Sequence, residues 1–250
     1  MIYARVRHNN NIKFGFICGD KIDFISNEII SDYKLTGESA QISEISYLSP
    51  TVPSKVVAVG LNYRDHIKEM NNTMPQNPII FIKPSTAVIG DGDIIIRPSQ
   101  SKQVDYEAEL AIVVKKQAKN ISPENAKDYI LGYTCLNDVT ARDLQSMDGQ
   151  WTRAKGFDTF CPIGPVVTDE VDPLELDVKS YLNGELKQFS NTREFIWNVY
   201  ELFSFISDIM TLMPGDVITT GTPSGIGAMK PGDKIEIVVE GIGTLTNIVE

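Results

Sequence analysis

The run Val104 to Val114 places Glu107 and Glu109 two residues apart at the start of a strand-like pattern. Side chains at i and i+2 of a strand share one face. Two carboxylates on one face repel, which leaves either a solvated edge strand or a cation held between them. Hard oxygen donors suit Mg²⁺, Mn²⁺ or Ca²⁺. Asp138 closes the apolar run Leu136-Asn137-Asp138 ahead of a helical pattern, so it is either a helix N-cap or a third oxygen ligand. Lys155 stands in the apolar, glycine-containing Ala154-Lys155-Gly156-Phe157-Asp158, where an ammonium could pair with ligand carboxylates or stabilise an oxyanion. The alternative is an ordinary surface lysine.

His66 and Glu69 lie three apart in a segment that can form a helical turn, and would then share a face. Such a pair can hold an imidazole in one tautomer and polarise a water, as general-base catalysis requires; an exposed helix with a local hydrogen bond is the plainer reading. The polar, proline-containing stretch from Asn71 to Pro78 suits a mobile loop or lid. Thr219 to Gly227 follows a strand with a glycine-rich turn whose N–H groups and hydroxyls could hold a carboxylate, or which could simply be a tight turn. It lacks the Gly-Lys-Ser/Thr ending of a phosphate-binding loop.

The elements that must position these residues are mostly strands. Alternation at Tyr3 to Arg7, Ile12 to Ile17 and Lys21 to Ile25 predicts a small antiparallel sheet within residues 1–50. A polar stretch from Thr36 to Ser43 and an extended, proline-bearing connection lead to a main domain over residues 54–250. Strand-like runs recur there at Lys55 to Val59, Ile79 to Ile82, Asp93 to Ile96, Val104 to Val114, Gly132 to Leu136, Asp177 to Leu182, Asp216 to Thr219 and Lys234 to Val239. Asn183-Gly184 is the pair that a two-residue type I′ hairpin turn wants. One long helix is predicted, capped by Asn191 with Glu194 and burying Phe195, Val199, Leu202, Phe203, Ile206, Ile209 and Met210 as a core face. Shorter helices are predicted at Ser122 to Tyr129 and Thr140 to Met147. Strands with few helices give an α+β, strand-rich class, and no βαβ alternation of the dinucleotide-binding kind is present.

The 250 residues carry 23 Lys and Arg against 33 Asp and Glu, a formal net charge of −10 that repels phosphate backbones and excludes nucleic acid as a partner. Apolar runs fall far short of the roughly 18–20 residues needed to span a bilayer, so no membrane partner is expected. The N-terminal segment has no apolar core of a secretory signal, and a cytoplasmic location follows. Cys18, Cys135 and Cys161 form neither a disulfide framework nor a metal clip, and are expected to be buried, reduced and structural.

Together, Gly60-Leu61-Asn62-Tyr63, Phe81-Ile82-Lys83-Pro84-Ser85, Tyr106-Glu107-Ala108-Glu109-Leu110, Asn137 to Asp143, Lys155-Gly156-Phe157-Asp158 and Thr220-Gly221-Thr222-Pro223 resemble the fumarylacetoacetate hydrolase family over roughly residues 53 to 250. The resemblance implies a mixed β-roll, commonly a homodimer. It implies that Glu107, Glu109 and Asp138 bind one divalent cation, Mg²⁺ or Mn²⁺, leaving positions open for a bidentate oxo-acid. By the same resemblance Lys155 stabilises an oxyanion, His66 and Glu69 are a water-activating pair on a closing lid, and Arg142, Gln145 and Thr222 contact substrate. A metal that chelates a 2-oxo acid stabilises an enolate and makes the adjacent C–C bond cleavable. The activity implied first is therefore hydrolysis of acylpyruvate-type 1,3-diketo acids, with oxaloacetate decarboxylation next and isomerisation of 2-hydroxyhepta-2,4-diene-1,7-dioate third. A catalytically idle protein that binds metal and oxo-acid is the non-enzymatic alternative.

Overall fold

A computed structural model of the chain describes residues 1–64 and 74–250. Its largest sheet has twelve strands and begins with an antiparallel meander of Ile2–His8, Asn11–Cys18, Lys21–Ile25 and Leu35–Gln41. The meander joins the rest of the sheet through Ile2 and Tyr3, which pair with Thr168 and Val167 of strand Cys161–Thr168. The order then runs through Ile130–Asn137, Ala108–Val114, Val217–Thr219, Lys55–Gly60 and Ile79–Pro84. Most pairs are antiparallel, but Val217–Thr219 runs parallel to Lys55–Gly60. A five-stranded sheet containing Asp177–Leu182, Glu185–Asn191, Lys234–Val239 and Gly243–Val249 packs against it. This is the strand-rich α+β architecture expected, with mixed sheets.

Every residue of Ala108–Val114 and Ile130–Asn137 is buried, because both faces of the sheet are covered there. Leu110, Ile112 and Val114 join one apolar cluster with Phe203, Ile206, Ile237 and Leu245. Ala111 and Val113 face the other, with Leu131, Ile163 and Val217. The hairpin at Asn183-Gly184 forms as predicted, with φ of +53° and +83° at the two turn residues.

Several local expectations are corrected. The long α-helix begins at Val199, not after Asn191, and its capping box is Asn198 with Glu201. Asn191 instead caps the short 3-10 turn Thr192–Glu194. The segment Pro123–Tyr129 is 3-10 and not α-helical. Thr140–Ala141 is a short strand and the following helix spans Arg142–Asp148 with Ala141 at its N-cap, so Asp138 caps nothing. The polar stretch at 36–43 contributes an edge strand whose only buried residue is Ala40, so it has no alternation to read. Cys135 and Cys161 are buried, but Cys18 is exposed. Among the described residues, no helix is long and apolar enough to cross a membrane.

Candidate functional site

The single strand run expected from Val104 to Val114 is broken at Glu107. Val104–Tyr106 belongs to a small sheet with Thr140–Ala141 and Gly227–Ala228, while Ala108–Val114 belongs to the large one. The break is held by two bonds to the end of the neighbouring strand. Glu107 N–H donates to Asn137 Oδ1 at 2.9 Å, and Asp138 N–H donates to Glu107 O at 2.9 Å. These bonds bring Glu107, Glu109 and Asp138 to one point, where a carboxylate oxygen from each lies within 4.8 Å of the others. All three residues are buried, which rejects the solvated edge strand.

Three cations answer the charge. Lys155 Nζ, at the end of the short helix Thr152–Lys155, donates to Glu107 Oε2 at 2.8 Å and Asp138 Oδ2 at 2.6 Å. Lys83 Nζ donates to Asp138 Oδ1 at 2.5 Å and to Val139 O at 3.2 Å. Arg142, first residue of its helix, donates to Glu107 Oε1, to Asp105 Oδ2 at 2.9 Å and to Gln145 Oε1 at 2.6 Å, one turn along. Four buried carboxylates thus meet three cations, and among the described residues Glu109 is the one of the four that forms no ion pair within 4 Å. Its Oε2 accepts the Gly221 N–H at 2.8 Å. Its Oε1 is buried without any hydrogen bond among the described residues.

Burial, and then the negative charges of Asp138 and Glu107, push the Glu109 carboxyl well above the usual carboxylate range. Lys155 goes the opposite way from a buried lysine left alone. Burial favours its neutral form, but Asp138 and Glu107 outweigh that and hold it protonated above its ordinary range. An orphaned carboxylate oxygen among three buried carboxylates, with only oxygen donors, is the chemistry that a hard divalent cation satisfies.

The turn expected to hold a carboxylate does so, and the carboxylate is the protein's own Glu109. Beyond Ala111 the backbone of the Val217–Thr219 strand parts from Ala108–Val114, and threonine hydroxyls continue the ladder. Thr220 Oγ1 donates to Leu110 O at 2.8 Å and Thr222 Oγ1 donates to Ala108 O at 2.9 Å. The single hydroxyl proton of Thr222 is thereby committed, leaving its oxygen to meet a substrate only as an acceptor.

A cleft of about 230 Å³ opens over the carboxylates. Glu107, Glu109, Asp138, Arg142, Gln145, Lys155 and Thr222 all line it, together with Leu61, Phe81 and Trp151. Its size lies below the roughly 300–1,000 Å³ of pockets for drug-sized ligands, which suits a small acid. Trp151 meets Phe81 edge-on with centroids 5.3 Å apart, and Lys155 Nζ lies 5.1 Å from the Phe81 ring centre. His66 and Glu69 lie outside the described residues, as does the start of the stretch read as a lid.

Lys83 and Asp105 were not singled out as site residues by the sequence reading. The signal for Lys83 is a charge in an otherwise apolar strand, and there Ile79 and Ile82 are exposed while Lys83 is fully buried. Asp105 gives no comparable signal, since a carboxylate at the start of a strand is common at surfaces.

A family model described as fumarylacetoacetate (FAA) hydrolase C-terminal matches residues 55–250, and one described as Rv2993c-like, N-terminal, matches residues 1–50. An uncharacterized protein of Methanocaldococcus jannaschii is 54% identical over 232 residues, 93% of this chain and 95% of that protein. Oxaloacetate tautomerase Fahd2a, mitochondrial, of Rattus norvegicus is 42% identical over 217 residues, 82% of this chain and 69% of that protein. The solved structure of 5-carboxymethyl-2-hydroxymuconate delta-isomerase from Mycobacterium smegmatis matches with a TM-score of 0.94 at 42% identity, covering 100% of this chain and 99% of that one. The last two relatives are enzymes by name. The chain belongs to the fumarylacetoacetate hydrolase family.

Proposed function

We propose that this protein is a divalent-cation-dependent enzyme that moves a proton next to the carbonyl of small 2-oxo acids, a keto–enol tautomerase or double-bond isomerase. The observation that carries the reading is the convergence of three buried carboxylates, one with an orphaned oxygen, beneath a small cleft lined by Lys155 and Arg142. Relatives named as a tautomerase and an isomerase support the same class of step. Glu107, Glu109 and Asp138 would hold Mg²⁺ or Mn²⁺, and a cation there supplies Lewis-acid polarisation of a chelated 2-oxo acid.

The chain's own residues do the rest. Lys155, kept protonated at Nζ, donates to the oxygen on which negative charge develops. Arg142 uses three of its five N–H groups on Asp105, Glu107 and Gln145, so two remain for a substrate carboxylate. Gln145 has its carbonyl engaged and offers its amide N–H groups. Phe81 and Trp151 form an apolar boundary that keeps water from the reacting carbons.

Hydrolytic C–C cleavage of acylpyruvates, the activity that the sequence suggests first, needs a water-activating base in addition. His66 and Glu69 are the residues assigned to it. The described residues support the enolate stabilisation that tautomerisation, isomerisation, decarboxylation and hydrolysis have in common, and in the first two the same His66 and Glu69 pair is the candidate base that takes the proton from carbon. A cytoplasmic homodimer, with residues 1–50 as a bracing subdomain and 54–250 as the catalytic domain, is part of the same proposal.

The test follows the ultraviolet absorbance of enol-oxaloacetate, a dienedioate, acetylpyruvate and fumarylpyruvate with Mg²⁺, Mn²⁺ or EDTA. Cation-dependent ketonisation or isomerisation without C–C cleavage is the expected outcome. Acylpyruvate cleavage as the fastest reaction would establish the hydrolase instead. Cation-dependent oxalate binding with no turnover of any compound would leave only a binding protein.

A further inference from the structure

The strand Glu185–Asn191 lies at the edge of the five-stranded sheet, and in it only Gln188 is buried, fully. A glutamine there is costly, because an amide taken out of water must find all its partners. An apolar side chain would fill the space without that demand. Gln188 finds its partners on the two segments that build the carboxylate site. Its Oε1 accepts the Ala108 N–H at 3.0 Å, and its Nε2 donates to Thr222 Oγ1 at 2.9 Å and Pro223 O at 2.8 Å. Ala108 N is a donor and Pro223 O an acceptor, so the amide has one permitted orientation.

Ala108 is the residue between Glu107 and Glu109. Its N–H is held by Gln188 and its C=O by Thr222 Oγ1, which in turn accepts from Gln188. The two peptide groups that set the relative aim of the carboxylates are therefore clamped on this side by two side chains, while on the opposite side Glu107 O accepts the backbone N–H of Asp138. Two further observations show that the hairpin is built to deliver this contact. The pairing Ser180↔Gln188 followed by Tyr181↔Leu186 leaves Lys187 as the extra residue of a β-bulge, which turns the strand at that point. A Cβ at Gly225 would lie 2.3 Å from Lys187 O, so the threonine-rich turn sits directly on the bulge and requires glycine there.

We propose that Gln188 is a positioning residue: through the Ala108 peptide it holds Glu107 and Glu109 in the geometry that binds a divalent cation. The inference rests on the functional reading above. Outer partners of metal ligands typically contribute 10- to 100-fold in affinity.

The experiment measures Mn²⁺ affinity by calorimetry on the full chain, with circular dichroism confirming the fold. Gln188→Met, similar in size but without an amide, is expected to bind Mn²⁺ about 10-fold or more weakly than the wild type. Thr222→Val, which removes the second clamp, is expected to do the same, and Thr222→Ser, which keeps the hydroxyl, to bind within about threefold of wild type. Should Gln188→Met fail to fold, the threonine pair decides alone. A Gln188→Met protein that melts earlier but binds Mn²⁺ like the wild type would make the residue merely structural and overturn the proposal. Equal affinity in Thr222→Val and Thr222→Ser would overturn it too. Absence of Mn²⁺ binding by the wild type would sink this inference and the functional reading together, whereas wild-type binding with unaffected variants would sink this one only.

Discussion

Lys83 Nζ lies 2.5 Å from Asp138 Oδ1, with the lysine fully buried and the aspartate 1% exposed. Lys155 takes the other oxygen of the same carboxylate, so Asp138 is bracketed by two ammonium groups. Removing one partner of a buried pair costs about 3–5 kcal/mol when the other charge is left unmatched. Asp138 keeps Lys155, so Lys83→Met is expected to melt below the wild type in EDTA with a loss smaller than that. A divalent cation would restore positive charge at Asp138, so saturating Mn²⁺ should raise the melting temperature of the variant more than that of the wild type. Equal gains in the two proteins would show that Lys83 is not coupled to the carboxylate site.

Glu109 supplies a pH dependence of the opposite character to most carboxylates. Its folded-state pKa is raised by burial and by Asp138 and Glu107, so the folded chain keeps a proton that the unfolded chain releases near the ordinary carboxylate value. The folded state then binds more protons, and stability falls as pH rises from that ordinary value through the raised one. In EDTA, urea denaturation is expected to show the wild type weakening across this window and Glu109→Gln weakening less. The glutamine keeps an oxygen for the Gly221 N–H, so at pH 7.5 the variant should be the more stable protein while losing its stabilisation by Mn²⁺. A variant less stable than wild type at pH 7.5 in EDTA would contradict the electrostatic account.

The residues that were legible in the sequence share a property: their type alone restricts what they can do. Two glutamates at i and i+2 with a later aspartate already pointed to oxygen ligation, and the structure brings all three oxygens within 4.8 Å. The hairpin at Asn183-Gly184 was legible because few pairs accept two left-handed residues in a row. Residues defined only by tertiary context were not. Gln188 sits in a run of exposed residues, and no local pattern marks it as the buried member. Cys161–Thr168 is a central strand carrying Pro162, Gly164 and Pro165, residues that argue against a strand unless a bulge accommodates them. The helix start was misplaced because Asn191/Glu194 and Asn198/Glu201 offer the same capping chemistry seven residues apart. Between the two caps Phe195 bridges to Tyr63, and the Ile196 and Trp197 N–H groups donate to Asn62 O and Oδ1, so these donors are taken by tertiary partners before the helix begins at Val199.

The three thiols should separate cleanly by reactivity. Cys18 is exposed, whereas burial pushes the Cys135 and Cys161 thiols up to about 12, leaving almost no thiolate at neutral pH. A disulfide reagent at pH 8 is expected to modify one thiol per native chain and three after denaturation. Rapid native modification of Cys161 would mean that the strand beside the carboxylate site opens to solvent.

Gly60 tests whether the apolar side of the cleft shapes substrate binding. A Cβ there would lie 2.7 Å from Trp151 Cζ3 and 3.0 Å from Cη2, closer than packed atoms allow. The backbone itself tolerates alanine, since Gly60 is not among the residues of positive φ. The indole is partly exposed and can rotate, so Gly60→Ala should fold with a loss of no more than about 1–3 kcal/mol. Displacing Trp151 breaks its edge contact with Phe81, over whose ring Lys155 sits, and changes the width of the cleft. None of the three carboxylates touches the indole in a hydrogen bond, so Mn²⁺ affinity should stay at the wild-type value while KM rises. Tryptophan emission, read with Trp197→Phe as background, should shift on the same substitution. Adding Trp151→Phe to Gly60→Ala removes the clash and is expected to bring KM part of the way back. If Gly60→Ala leaves both KM and emission unchanged, Trp151 does not bound the substrate, and the apolar wall has to be sought among the remaining residues of the cleft.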